Sequence, residues 1–127
     1  MSSEGLHEPR EKLLSQTIDF HRAVVSMKEE LEALDWYQQR VDAAEDEELK
    51  RILAHHRDEE KEHFVMLLEW LRRRDPVLSG FLKTYLFTDA DITTLEALEE
   101  QGGPSREAEI PSVGSLKEES SDKISGS

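Results

Sequence analysis

Residues 47–76 read EELKRILAHHRDEEKEHFVMLLEWLRRRDP, and this stretch decides the fold. Leu49, Ile52, Leu53, Leu67 and Trp70 recur along it at helical spacing, and His56, Glu60 and His63 fall on the same stripe. Its ends carry start and stop chemistry. Asp46 is suited to cap the first turn, and Glu47 and Glu48 fall where the helix dipole is positive. Arg72, Arg73 and Arg74 fall at the negative end, and Pro76 stops the helix because it lacks the N–H the ladder needs. The spacing predicts a helix over 47–74, roughly 40 Å long at 1.5 Å per residue.

On the N-terminal side, nothing between Pro9 and about Ala44 breaks a helix: there is no Gly and no further Pro. Pro9 suits a first helical position, where its missing N–H costs nothing. Leu14, Ile18, Val24 or Val25, Leu31, Leu34, Tyr37 and Val41 recur at helical spacing, which predicts a helix of roughly 50 Å. The short turn around 44–49 then makes the two helices an antiparallel hairpin. On the C-terminal side, VLSGFLKTYLF (77–87) predicts a further helix despite Gly80. Thr88 or Asp89 is expected to cap a last short helix over Ile92–Glu100. No stretch alternates as a strand would. The expected fold class is all-α. Residues 1–8 are expected to be a flexible lead, 9–98 the helical hairpin domain, and 99–127, mostly Gly, Ser, Pro and charge, a disordered tail.

Composition sets the next constraint. With 127 residues, 36% hydrophobic and 35% charged, the chain has few side chains to spare for a core. Each of two long helices buries one stripe and leaves another open. Self-association is the expected remedy, most simply two hairpins forming a four-helix bundle. The formal charge of −13 comes from 29 acidic against 16 basic residues. The tail has seven acids and three bases, so the folded part carries most of the excess. Such a surface repels nucleic acid and anionic membranes and attracts cations. The absence of cysteine excludes disulfides, zinc–thiolate sites and thiol nucleophiles. No apolar run approaches the ~20 residues of a membrane span, and MSSEGLHEPR lacks the basic and apolar regions of a secretory signal, so the cytoplasm is the expected location.

The polar residues on the apolar stripes point to chemistry. Glu60 and His63 are three apart and project from one face. On the first helix, Glu30 shares a face with Ala23, Met27, Leu34, Tyr37 and Val41. A carboxylate on an inward stripe is costly unless neutralised, paired or bound to metal. Di-iron carboxylate bundles use a lone Glu from each of two helices and a Glu-x-x-His pair from each of two others. One chain offers half of that set, and a two-fold dimer would complete it with four carboxylates and two imidazoles. Carboxylate oxygen with imidazole suits Fe(II) or Mn(II). The same spacing also arises by chance in so acidic a chain, as at Glu4-x-x-His7.

The neighbours carry two readings each. Glu29 and Glu32 are either an outer cation site or a solvated acidic surface, and Trp36 either flanks an ion path or packs at an interface. Tyr37 is either a redox-active or metal-contacting phenol or a core aromatic, and His56, one turn before Glu60, is either an outer partner of a ligand or a packing residue. Trp70 and Phe64 read as core.

HRAVVSMKEELEALDWYQQRVDA (21–43), ILAHHRDEEKEHFVMLLEWLRRRDP (52–76) and KTYLFT (83–88) closely resemble encapsulated ferritins, two-helix ferritin-like cargo proteins of bacterial encapsulin compartments. The resemblance implies a ferroxidase, with a di-iron centre shared between two chains and dimers assembled into a ring-shaped decamer. It places the metal ligands on Glu30, Glu60 and His63, the residues along which ions arrive on Glu29 and Glu32 with Trp36 beside them, and a tyrosine next to the centre on Tyr37. The implied cofactor is iron, Fe(II)/Fe(III), two per subunit pair, and calcium is a candidate for the outer acidic site. Ser112–Lys117 (SVGSLK) resembles the family's encapsulation signal, with Val113 and Leu116 as apolar anchors for the encapsulin shell protein. The implied location is the bacterial cytoplasm, inside an encapsulin nanocompartment. Two rivals keep the same scaffold: a helical module that only buffers divalent cations, and an oxidase of manganese or another metal pair.

Overall fold

In the computed structural model, the described residues are 5–100, and the chain divides into two units between Arg74 and Asp75. The expected encapsulation signal at Ser112–Lys117 lies outside the described residues.

The first unit is a helical hairpin of α1 (Ser15–Ala43) and α2 (Glu47–Arg74). A connection of only Ala44–Asp46 forces the two helices antiparallel, and cross-helix pairs set their register. Gln38 meets Arg57, Tyr37 meets His56, and Glu30 meets His63. The cap is the expected one: Asp46 Oδ2 accepts from the Leu49 N–H at 2.8 Å. α2 has the predicted boundaries.

The start of α1 differs from expectation. Pro9 opens only a 3-10 turn over Arg10–Lys12, Leu13 and Leu14 are extended, and α1 begins at Ser15. The hairpin explains this. α1 has 29 residues and α2 has 28, so a helix begun at Pro9 would project past the end of α2 with no partner for its apolar side chains. Leu14 is accordingly exposed.

Two helices do not close a core. Among the described residues the only buried hydrophobic side chains are Ile18, Ala23 and Leu71. Leu49 and Ile52, placed on the inward stripe by spacing alone, are exposed, as are Phe20, Leu31, Trp36, Val65 and Met66. The inward stripe of α2 instead follows Leu53, Arg57, Glu60, Phe64, Leu67 and Leu71.

The second unit holds α3 (Pro76–Tyr85) and α4 (Ile92–Glu100), which pack on each other. Pro76 both excludes helical continuation at Asp75, which is extended, and serves as the first residue of α3. Asp75 Oδ1 accepts from the Leu78 N–H at 3.0 Å. Thr84 Oγ1 joins the two helices by bonding the Glu99 carboxylate at 3.1 Å, beside the buried Gly80. The expected cap of α4 is corrected. Asp91, not Thr88 or Asp89, accepts from the Thr93 N–H at 2.9 Å, because it stands immediately before Ile92. Thr88 instead donates its hydroxyl to the Tyr85 carbonyl and finishes α3. Among the described residues no strand occurs, and no helix is long and apolar enough to cross a membrane.

Candidate metal centre

Glu30 lies near the middle of α1, and Glu60 and His63 lie one turn apart on α2 opposite it. Antiparallel pairing brings all three together. One ligand atom from each lies within 4.8 Å of the others. His63 Nδ1 is 3.4 Å from Glu30 Oε1 and 3.4 Å from Glu60 Oε1. The carboxylates are largely covered, with 25% of the Glu30 side chain and 20% of the Glu60 side chain exposed, whereas the imidazole is 49% exposed. The group therefore sits at one edge of the hairpin, half inside and half open.

Its electrostatics favour a cation. A hydrogen bond to Glu60, burial, and the Glu60 charge together push the Glu30 carboxyl above its ordinary range, and His63 only partly opposes them. Burial pulls His63 down, but the hydrogen bonds and charges of Glu60 and Glu30 outweigh it, and its net shift is upward. Two crowded carboxyl groups beside one imidazole form a pocket of negative potential, which is why Glu30 and His63 both hold protons more tightly than usual. A divalent ion would relieve that crowding. Hard oxygen plus imidazole nitrogen fits iron or manganese, so the residues present suit the metal the sequence suggests. Three side chains do not surround two such ions.

A groove of about 550 Å³ opens beside Glu30 and His63, between Ala23 and Ser26 of α1 and Met66 and Trp70 of α2. Spacing did not reveal it. Its signal was the apolar excess on α2, which the stripe assignment absorbed as core.

The other expected residues lie outside the three-residue group. Tyr37 is half-buried and meets His56 edge to face, with ring centroids 5.4 Å apart and planes at 72°. The Arg40 guanidinium carbon stands 5.2 Å from the Tyr37 centroid. Glu29 and Glu32 are exposed on α1, and Trp36 is half-exposed.

Comparison with known proteins matches residues 5–89 to the family described as EncFtn-like. The chain belongs to the EncFtn-like family. The match spans the hairpin and α3 and stops before α4. The chain is 58% identical over 101 residues to an encapsulated ferritin-like protein of Rhodospirillum rubrum, covering 80% of this chain and 72% of that one. It is 29% identical over 104 residues to the encapsulin nanocompartment cargo protein EncC of Myxococcus xanthus, covering 73% and 80%. The crystal structure of protein ne0167 from Nitrosomonas europaea superposes with a TM-score of 0.67 at 59% identity, over 69% of this chain and 97% of that one. An EncFtn-like chain accounts for the all-α fold and supports an iron-related role.

Proposed function

We propose that this protein is a ferroxidase that oxidises Fe(II) to Fe(III) at a di-iron centre assembled between two copies of the chain. The observation that carries the reading is the convergence of Glu30, Glu60 and His63 on a half-open edge. A second hairpin laid two-fold against that edge doubles the set to four carboxylates and two imidazoles and covers apolar surface that one chain leaves exposed, Ile52 and Met66 among it.

In this reading the chain's own groups divide the work. Exposed Glu29 and Glu32 raise the local concentration of Fe(II), the substrate, beside Trp36, and calcium is an alternative occupant there. Glu30 supplies a carboxylate from α1, and Glu60 and His63 complete each half of the donor set. Tyr37 borders the centre from the turn side. Two Fe(II) give up one electron each, and together they reduce one dioxygen to hydrogen peroxide with two protons taken from solvent. A hairpin encloses no storage cavity, so Fe(III) passes on for mineral storage in a surrounding compartment. The SVGSLK segment around Val113 and Leu116 docks the protein on an encapsulin shell in the bacterial cytoplasm, with dimers arranged in a ring-shaped decamer. The names of the Rhodospirillum and Myxococcus relatives support the encapsulated setting.

The test is anaerobic titration with Fe(II), followed by admission of air while the ferric absorbance is recorded. A ferroxidase accelerates the absorbance rise over buffer. Stoichiometric uptake with no acceleration would identify a cation buffer instead. Native mass with and without Fe(II) reads association and metal content together.

A further inference from the structure

We infer that His56 is a positioning residue of this centre, fixing the Tyr37 ring in the layer of the hairpin next to the Glu30–Glu60–His63 group. The inference rests on the ferroxidase reading and adds to it a residue to which that reading gives no role.

Register places the two residues in one layer of the hairpin. Tyr37 follows Glu30 by two turns on α1, about 10 Å along the axis at 1.5 Å per residue. His56 precedes Glu60 by one turn on α2. Because the helices are antiparallel, both displacements run toward the connecting turn, and Tyr37 and His56 form one layer beside the ligand layer. Helical side chains lean toward their own N-terminus. On α1 this tilts Tyr37 toward Glu30. On α2 it tilts Glu60 toward the turn that carries His56. The phenol therefore leans along α1 in the direction of the ligand layer, and the orientation of its ring depends on what packs against it.

Two groups hold it. His56 meets the ring edge to face at 5.4 Å, a geometry that an electron-rich face and a polarised C–H or N–H edge favour. The Arg40 cation lies 5.2 Å from the same ring. Arg40 is an exposed side chain one turn along from Tyr37 on its own helix, whereas His56 is half-buried and comes from the opposite helix. His56 ties the orientation of Tyr37 to the helix that bears Glu60 and His63.

The experiment uses full-length His56→Ala and His56→Phe, with Tyr37→Phe and the His56→Ala/Tyr37→Phe double variant. Each is assayed for Fe(II) stoichiometry under anaerobic conditions, for kcat and KM of oxidation, and for helicity. His56→Ala is expected to lower kcat roughly tenfold or more, the usual cost of removing an outer partner, with Fe(II) stoichiometry and helicity unchanged. His56→Phe is expected to restore part of the loss, because it keeps an aromatic edge. The double variant is expected to be no slower than the slower single one, since both substitutions act through the same phenol. Wild-type kcat in His56→Ala would overturn the inference, and so would losses that simply multiply in the double variant. Equal loss of helicity and rate in both His56 variants would mark His56 as structural and overturn it as well. Failure of the wild-type protein to accelerate oxidation is a separate result. It would remove the ferroxidase reading, and the inference with it.

Discussion

His63 Nδ1 on α2 stands 3.4 Å from Glu30 Oε1 on α1, joining residues that only the antiparallel hairpin brings together. That contact links the fold to the proposed chemistry, since neither helix alone presents a cation with both a carboxylate and an imidazole from opposite sides. It also sets the first expectation. Glu30→Ala, Glu60→Ala and His63→Ala should each slow Fe(II) oxidation by more than roughly 100-fold, beyond the loss typical of an outer partner. Stopped-flow absorbance after mixing with aerated Fe(II) reads this directly. A triple variant as fast as wild type would refute the site assignment.

Glu30 gives a sign-specific prediction for metal-free protein. Its carboxyl is raised above the ordinary range by Glu60 and by burial, so the folded state holds this proton more tightly than the unfolded chain. Stability therefore falls as pH rises through that window, and the penalty is largest above it. Glu30→Gln removes the charge and should melt above wild type at pH 7 in the presence of a chelator. Mn(II) should then reverse the order by stabilising wild type alone. A variant that melts below wild type without metal would contradict this account.

Glu69 behaves in the opposite sense. Hydrogen bonds from Arg72, aided by Arg73, hold its carboxyl at about 2 against the opposing effect of burial. Its folded value is depressed, so its contribution is present above the ordinary carboxylate range and is lost as pH falls toward 2. The Glu69 side chain is 40% exposed, which limits the contribution to about 0.2–1 kcal/mol. Thermal melts of wild type and Glu69→Gln should differ at pH 6 and converge near pH 2. A gap that widens on acidification would exclude this pairing as the cause.

Asp46 caps α2 through the Leu49 N–H at 2.8 Å. Asp46→Ala leaves that donor without its side-chain acceptor and should cost about 1 kcal/mol. For a domain of this size that is a fall of roughly 4–8 °C in Tm. Asp46→Ser should recover most of it. No change in Tm for Asp46→Ala would show that the turn holds without its cap.

Removal of residues 109–127 should leave oxidation in vitro unchanged while abolishing co-purification with a co-expressed encapsulin shell. Retained co-purification would count against Val113 and Leu116 as the docking anchors.

The hairpin was legible in the sequence because its signals are local. The boundaries of α2 follow from Asp46, the terminal charges and Pro76, each of which acts within one turn. Glu30, Glu60 and His63 were legible because polar groups interrupted an apolar stripe, and the structure brings those three together. What escaped depends on the partner helix. Pro9 is a valid helix start by its own chemistry, but α1 begins at Ser15, where α2 comes within reach. Leu49 and Ile52 keep helical spacing yet face outward, because spacing defines a face and not what covers it. The Tyr37–His56 contact depends on the register between helices, which neither stripe encodes alone.

Ile18, Ala23 and Leu71 are the only side chains the hairpin hides among the described residues. On the reading proposed here, a newly made chain in dilute solution is chemically idle. Turnover should then rise more steeply than linearly with protein concentration, and gathering many copies into a small volume would itself be the switch that starts iron oxidation where the product can be contained.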